Sequence, residues 1–393
     1  MENLKSIKYK ILFPYLGHWQ GANYSRFHRM FNMLSKRGHD IYVIDTPLSN
    51  IGETSSITIE DLPEINNIKI TTVAVNKFFT TKKFPLDKIF KKLIYSLKQT
   101  GEIKRTLLEK KMNILYLYNI PHLPLISFAN KHRIKIILDI VDDYPDMIRK
   151  EIPLLGNIAY RMAINMLRYM IKHSTINLCS SQDLMQRYKL NCIYLPNSVN
   201  IQKFSEYSNK GYYLRKEYPE SKKIAGYVGS IEDYVNIDLI LKAAKKVEEN
   251  WNFVFIGSGR KFDYLKKSIK ELEIKNVFLK GPISYKIVPL YIDSFDVCLN
   301  IFKHEDLRES ACPLKIFEYA ALKKPIISTP LRETKNIAGD NIFYADSVDE
   351  LKEVLDYLSS KSEEVIIKTN NMFDLVNSKY SLEKIVDQLE KLF

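Results

Sequence analysis

The chain has 393 residues, 46% of them apolar, and a formal net charge of +13. That length exceeds one ordinary core and predicts two domains of roughly 150 to 200 residues each, and the apolar share excludes wholesale disorder. The four cysteines (Cys179, Cys192, Cys298, Cys312) lack paired spacing, which excludes the usual zinc clusters and points to a reducing, cytoplasmic compartment.

Residues 1–196 hold 29 Lys and Arg against 16 Asp and Glu, whereas residues 197–393 hold 30 against 30. The excess lies wholly in the first half. It reads either as the mark of an anionic partner for one domain or as lysines spread over solvated faces. The first apolar run, 11–16, is short and contains Pro14, so it predicts a strand and not a signal peptide. The most apolar helical stretch, 152–171, is interrupted by Arg161 and Arg168, each costing on the order of a few kcal/mol at a bilayer centre, so no spanning helix is expected.

In chain order, 9–14 predicts a strand, then a turn containing Gly17, His18 and Gly21, a helix over 25–36 ended by Gly38, and a strand over 41–44. This is a βαβ unit, and its turn lies at the carboxyl end of a parallel sheet, where ligands bind. Two glycines without a third are no dinucleotide fingerprint. Residues 50–81 give no clear pattern. Residues 82–111 carry ten Lys and Arg against Asp87, Glu102 and Glu109, with apolar residues at helical spacing. That segment reads as a basic amphipathic surface for anionic lipid or as an ordinary outer helix with a lysine-rich wet face.

Strands are predicted at 114–118 and 135–140, the second running into Asp139, Asp142, Asp143 and Asp146. Carboxylates held close at a strand's carboxyl end can raise one another's pKa and supply a base; a solvated loop or helix cap is the alternative. A strand at 175–180, a helix at 182–188 and a strand at 192–195 follow, and the polar stretch 197–222 is expected to be a linker. A second series then runs strand 224–228, Gly229-Ser230, helix 236–248, strand 253–256, Gly257-Ser258-Gly259-Arg260, helix 262–272, strand 277–279, Lys280-Gly281-Pro282, helix 284–292 and strand 297–301. Such alternation predicts a second doubly wound sheet.

Cys312-Pro313-Leu314-Lys315-Ile316-Phe317-Glu318 carries the most chemistry. Pro313 suits the first turn of a helix, whose unpaired N–H groups attract anions, and Lys315 adds a full charge there. Glu318 lies one turn further along the same face. The pair offers a cation for phosphate and an acceptor for hydroxyls. In the tail, Leu382, Ile385, Val386, Leu389 and Leu392 share one helical face that needs a partner surface.

Pro313 to Ala321 with Lys324-Pro325-Ile326-Ile327, Pro196-Asn197-Ser198-Val199-Asn200, Arg37-Gly38-His39-Asp40, Tyr227-Val228-Gly229-Ser230 and Phe255-Ile256-Gly257-Ser258-Gly259 together resemble the motifs of the GT-B glycosyltransferases, GT4-like (group 1) family. The resemblance implies two doubly wound Rossmann-like domains facing each other across a cleft. The expected division is an acceptor-binding domain over 1–196, a linker over 197–222, a nucleotide-sugar domain over 223–375 and a C-terminal helix over 376–393 returning to the first domain. It also implies a metal-independent hexosyltransferase with no cofactor. The donor would be a UDP- or GDP-type sugar and the acceptor a glycan or lipid-linked glycan of cell-surface polysaccharide assembly, met at an anionic membrane face.

By the same resemblance Gly229, Ser230, Arg260, Pro282, Ile283, Pro313, Leu314, Lys315 and Glu318 would bind the donor, with Glu318 on the ribose and Lys315 on the diphosphate. Gly17, His18 and Arg26 would lie on the acceptor side. The chain departs from the family by lacking an Arg and a Lys after Val228, so that Arg260, Lys261 or Lys315 must substitute. Ser310 stands where many members have a glutamate, leaving Glu309 as the donor-sugar contact. Retention is the family's usual outcome, and Asp142 or Asp143 acting as a base would instead give inversion. A nucleotide-sugar 2-epimerase of the same fold is the alternative enzyme. Nucleic-acid binding is not expected, because no recognised module accompanies the positive charge.

Overall fold

The computed structural model describes residues 7–17, 19–20, 24–45, 68–73, 87–118, 122–151, 155–219, 222–360 and 362–393. The chain forms two compact units: Met1–Leu195 with Val386–Phe393, and Pro196–Ile385.

In the first unit the strands are β1 (Lys10–Tyr15), β2 (Asp40–Asp45), β3 (Ile68–Thr72), β4 (Ile114–Tyr118), β5 (Lys135–Ile140), β6 (Ile176–Cys179) and β7 (Ile193–Tyr194). They lie side by side in the order β3-β2-β1-β4-β5-β6-β7, and each neighbouring pair is parallel. Helices cover such sheets on both faces, which is why β4 and β5 read as near-continuous apolar runs instead of alternating ones. β3 comes from the stretch that gave no sequence pattern: its Ile68 is buried, Ile70 is half-buried, and Lys69, Thr71 and Thr72 are exposed.

In the second unit the strands are β8 (Lys223–Val228), β9 (Trp251–Ile256), β10 (Val277–Gly281), β11 (Val297–Asn300), β12 (Ile326–Ser328) and β13 (Phe343–Tyr344). Their order is β10-β9-β8-β11-β12-β13, again with parallel neighbours. Strand order therefore reverses between β1 and β4 in one unit and between β8 and β11 in the other. In a doubly wound sheet the loops part at these places, leaving a crevice at the carboxyl ends of the strands.

The helix Leu314–Ala321 is fixed at the second of these crevices. Tyr319, fully buried, accepts from the Val228 N–H at 3.0 Å and donates to the Leu299 carbonyl at 3.4 Å, so one phenol ties the helix to β8 and to β11. The Phe295 ring also packs against β8 at Gly226, where an added Cβ would stand 1.9 Å from a ring carbon.

The expected linker is corrected by the contacts it makes. Residues 197–219 hold the helix Ile201–Ser205 and a 3-10 turn over Tyr212–Glu217, and Arg215 pairs with Asp296 at 2.8 Å, so the segment packs into the second unit. The expected final helix is two helices, Glu363–Lys379 and Leu382–Glu390. The tail from Val386 onward falls with the first unit, where Arg37 pairs with Asp387 at 2.8 Å and His39 with Glu390 at 2.8 Å. Leu382, Ile385, Val386 and Leu389 are all buried, as their shared face requires.

Replacing Tyr319 by Phe keeps the ring but leaves the buried Val228 N–H without its acceptor. Unfolding in urea should show a loss of about 1–3 kcal/mol, the usual cost of an unsatisfied buried donor. An unchanged midpoint would mean that the phenol does not hold the helix.

Candidate donor and acceptor sites

The helix beginning at Leu314 follows Pro313, which sits at the N-cap with extended backbone and not inside the first turn as its sequence position suggested. Asn197 fixes the approach to this cap: its N–H donates to Cys312 Sγ at 3.4 Å and its side-chain amide to the Cys312 carbonyl. The Pro196-Asn197-Ser198 motif thus positions the turn ahead of Lys315. Cys312, like the other three cysteines, is a free thiol.

Lys315 reaches back over the end of β8. Its ammonium lies 3.8 Å from the centre of the Tyr227 ring and 5.0 Å from that of Phe302. Burial against these rings lowers its pKa to about 7, with Glu318 opposing the shift and Arg308 adding to it. A Cβ at residue 229 would stand 3.2 Å from the Lys315 ammonium, and Gly229 has φ +134°, so this position is glycine for both space and conformation. Gly257 is constrained more sharply, since a Cβ there would meet the Gly229 carbonyl oxygen at 2.1 Å. The two strand-end turns, 229–230 and 257–259, therefore nest against each other below the lysine.

Glu318, one turn along, is buried and accepts a hydrogen bond from the Tyr285 hydroxyl at 2.8 Å. This contact draws the turn after β10, with Pro282 and Ile283, toward the carboxylate. Sequence reading did not assign Tyr285 a role of its own. Leu314 occupies the first helical position beside Pro313.

Arg308 was also missed. Its guanidinium stacks 3.8 Å from the centre of the Tyr234 ring, and Tyr234 in turn meets Phe302 edge-on at 5.2 Å. Tyr227, Phe302 and Tyr234 form an aromatic shelf carrying two cations, Lys315 and Arg308. Among the described residues, the buried Arg308 Nε has no hydrogen-bond partner. By contrast, Arg260 is committed elsewhere: its Nε lies 2.5 Å from Glu232 and its Nη2 3.4 Å from Asp233, while Lys261 pairs with Asp233 at 3.4 Å. The acidic residues after β8 neutralise the cations that sequence reading offered first.

Glu309 likewise has partners of its own. One oxygen meets His304 Nδ1 at 2.7 Å and the other accepts from the Arg332 N–H at 2.9 Å. The Glu309 contact is the largest of the influences raising the His304 pKa, with Asp346 at 2.9 Å on the other ring nitrogen.

In the first unit the clustered aspartates are divided among different tasks. Asp139 is wholly buried, accepting from the Tyr116 hydroxyl at 2.7 Å with Arg26 at 3.3 Å. Asp146 is buried and pairs with Arg149 and Lys150. Asp143 is buried between Arg187 at 2.7 Å and the Tyr188 hydroxyl at 2.6 Å. Its pKa is raised, chiefly by burial, and the carboxylate that contributes is Asp146 and not Asp142. Asp142 alone of the four is exposed, just past the end of β5.

The acceptor-side candidates are separated too. Arg26 is buried, donating to the Leu195 carbonyl at 2.9 Å, so it braces the sheet and does not face solvent. Gly17 lies against the Tyr15 ring, where a Cβ would approach to 3.0 Å. His18 and Gly21 lie outside the described residues. His28 takes the central place in that region, stacked on Trp19 at 3.9 Å. It accepts from the Ser25 N–H at Nδ1 and bonds the Trp19 carbonyl through Nε2, and burial lowers its pKa to about 4, so it is neutral with the proton on Nε2.

Two parallel, doubly wound sheets with a switch-point helix in the second define a GT-B glycosyltransferase fold. Residues 214–372, which lie within the second unit, match the family model described as glycosyl transferases group 1. A 121-residue stretch is 29% identical to a Bacillus subtilis (strain 168) protein named as a teichuronic acid biosynthesis glycosyltransferase, TuaH, covering 30% of each chain, less than a third of that relative's length. Solved structures agree over nearly the whole chain. A glycosyltransferase from Rickettsia africae ESF-5 is 16% identical with a TM-score of 0.69, over 98% of both chains. Anabaena Alr3699/HepE, in complex with UDP and glucose, is 13% identical with a TM-score of 0.71, also over 98% of both. At these identities the likeness concerns the fold.

The geometry separates the two candidate bases. Asp143→Asn should weaken the contacts to Arg187 and Tyr188 and destabilise the first unit by about 1–3 kcal/mol, a fall of several degrees in melting temperature. Asp142→Asn should leave the melting temperature unchanged. Equal melting temperatures for both variants would contradict the structural placement of Asp143.

Proposed function

We propose that the protein transfers a hexosyl group from a nucleoside-diphosphate sugar of UDP or GDP type to a glycan or lipid-linked acceptor in cell-surface polysaccharide assembly. The observation that carries this reading is the pair Lys315 and Glu318 on the helix pinned at the β8/β11 switch point, with Arg308 as a second cation on the same aromatic shelf. The named role of TuaH and the UDP bound by the Anabaena protein support it.

In this reading the diphosphate lies over Gly229 and Ser230 against Lys315, Arg308 and the N–H groups at Leu314. As the bond from the sugar's anomeric carbon to the phosphate oxygen breaks, negative charge grows on the diphosphate. Cations already in place stabilise that charge without reorganisation. The pair supplies the charge that a resident metal ion would otherwise provide, so the reaction is proposed to run without one. Glu318, oriented by Tyr285, accepts the ribose hydroxyls, and the turn with Pro282 and Ile283 borders the base. The first unit binds the acceptor, its excess of basic residues suiting an anionic membrane at the cytoplasmic face. Retention follows the family habit, and Asp142 is the carboxylate whose exposure suits a base if the outcome is inversion.

Calorimetry with UDP, GDP and ADP, in EDTA, should detect one of them, and Lys315→Ala and Arg308→Ala should each weaken it by roughly 10- to 100-fold, about 1.5–3 kcal/mol for a charge-assisted contact. No binding of any of the three would refute the proposal. Epimerised sugar formed from donor alone would favour the 2-epimerase instead.

Phosphate prefers the charged lysine, whose pKa in the free protein is lowered to about 7. Donor binding should therefore take up a proton above neutrality, and affinity should fall as pH rises, approaching about tenfold per unit. Titration in two buffers of different ionisation heat checks this. Proton uptake that persists in Lys315→Met would assign it to another group.

A further inference from the structure

The helix Gly156–His173 carries an outward face unlike that of an ordinary surface helix. Ala163, Leu167 and Met170 are buried, the last two within the core of the first unit. On the other side Leu155 is 58% exposed, Ile158 60%, Met162 60% and Tyr169 43%. These four positions, the first of them the N-cap, fall on one row along the helix, separated by three, four and seven residues, one or two turns apart. Beside that row runs a second, of Arg161, Arg168 and Lys172, all exposed. The sequence has no Asp or Glu between Glu151 and Asp183. Among the described residues, none of the three cations forms an ion pair.

A solvated face normally mixes both signs of charge and keeps large apolar side chains inward. Here an apolar ridge is exposed next to a purely cationic one. We propose that this helix lies in the interface of an anionic lipid bilayer. Leu155, Ile158 and Met162 would enter the boundary between headgroups and acyl chains, and Tyr169 would sit at headgroup level. Arg161, Arg168 and Lys172 extend their aliphatic stems along the apolar region and place their charges at lipid phosphates. The net positive charge of residues 1–196 draws this unit toward the same surface.

Among the described residues no helix is long and apolar enough to cross a membrane, so the contact is peripheral. This assigns lipid contact to a segment different from the lysine-dense 82–111. The inference extends the proposed lipid-linked acceptor, but its test does not depend on transfer.

The test is co-sedimentation of the full chain with vesicles of phosphatidylcholine, alone or containing a third phosphatidylglycerol, at low and at high salt. The protein should partition onto the anionic vesicles at low salt and much less onto the neutral ones. Both Ile158→Ser/Met162→Ser and Arg161→Glu/Arg168→Glu/Lys172→Glu should lower that partitioning by about tenfold or more, since apolar insertion and charge act together. All positions changed are exposed, so melting temperature and UDP affinity should stay at the wild-type values. UDP binding is read separately, and either reading can fail alone. Wild-type protein that ignores anionic vesicles, or variants that bind them undiminished, would overturn the proposal. So would a wild-type dimer in sedimentation equilibrium that the serine pair dissociates, because the ridge would then be an interface between copies of the chain.

Discussion

One buried phenol sets the geometry on which the proposed donor site depends. Tyr319 spans the place where strand order reverses, bonded to β8 on one side and β11 on the other, and so fixes the rotation of its helix. With that rotation set, Lys315 reaches the end of β8 and Glu318 turns toward the loop after β10. The nested glycine turns lie below because side chains there would collide with backbone or with the lysine itself. Positioning of this kind places charge before a ligand arrives, and preorganisation of charge is what electrostatic stabilisation of a leaving diphosphate requires.

The second unit shows how a cation pair can be rebuilt from different parts of a sheet. The turn after β8 has Glu232 and Asp233, and these hold Arg260 and Lys261 at the surface. Positive charge is supplied instead from the segment after β11, through Arg308, and from the following helix, through Lys315. Stacking on Tyr234 and Tyr227 keeps both cations partly stripped of water, which raises their worth to an anion. The same desolvation depresses the Lys315 pKa and couples the site to pH.

Much of the fold was legible because its signals are local. Apolar runs marked most strands, with a glycine closing those of β8, β9 and β10, and the switch-point helix announced itself through Pro313, Lys315 and Glu318. β3 was hidden because only its first residue is deeply buried, leaving no apolar run to read. The segment 197–222 looked like a linker on composition, yet Arg215 and Asp296 join it to the second unit by a contact distant in sequence. Site residues were harder for the same reason. Arg308 sits among Glu305, Asp306 and Glu309 and reads as part of a mixed-charge loop; its stacking partner Tyr234 is supplied by tertiary structure alone. The aspartate cluster suggested a shared site, but three of its members turn inward to Arg26, Arg149 and Arg187, leaving Asp142 as the exposed one. The helix over 156–173 was judged only as a spanning segment, and which of its apolar residues face outward depends on how it packs.

The most direct test of the donor clamp is a crystal structure of the protein with a UDP-sugar. The account predicts phosphate oxygens within hydrogen-bonding distance of both the Lys315 ammonium and the Arg308 guanidinium, with ribose hydroxyls on Glu318. A diphosphate held instead by Arg260 and Lys261, with Arg308 still on Tyr234 and out of contact, would contradict it.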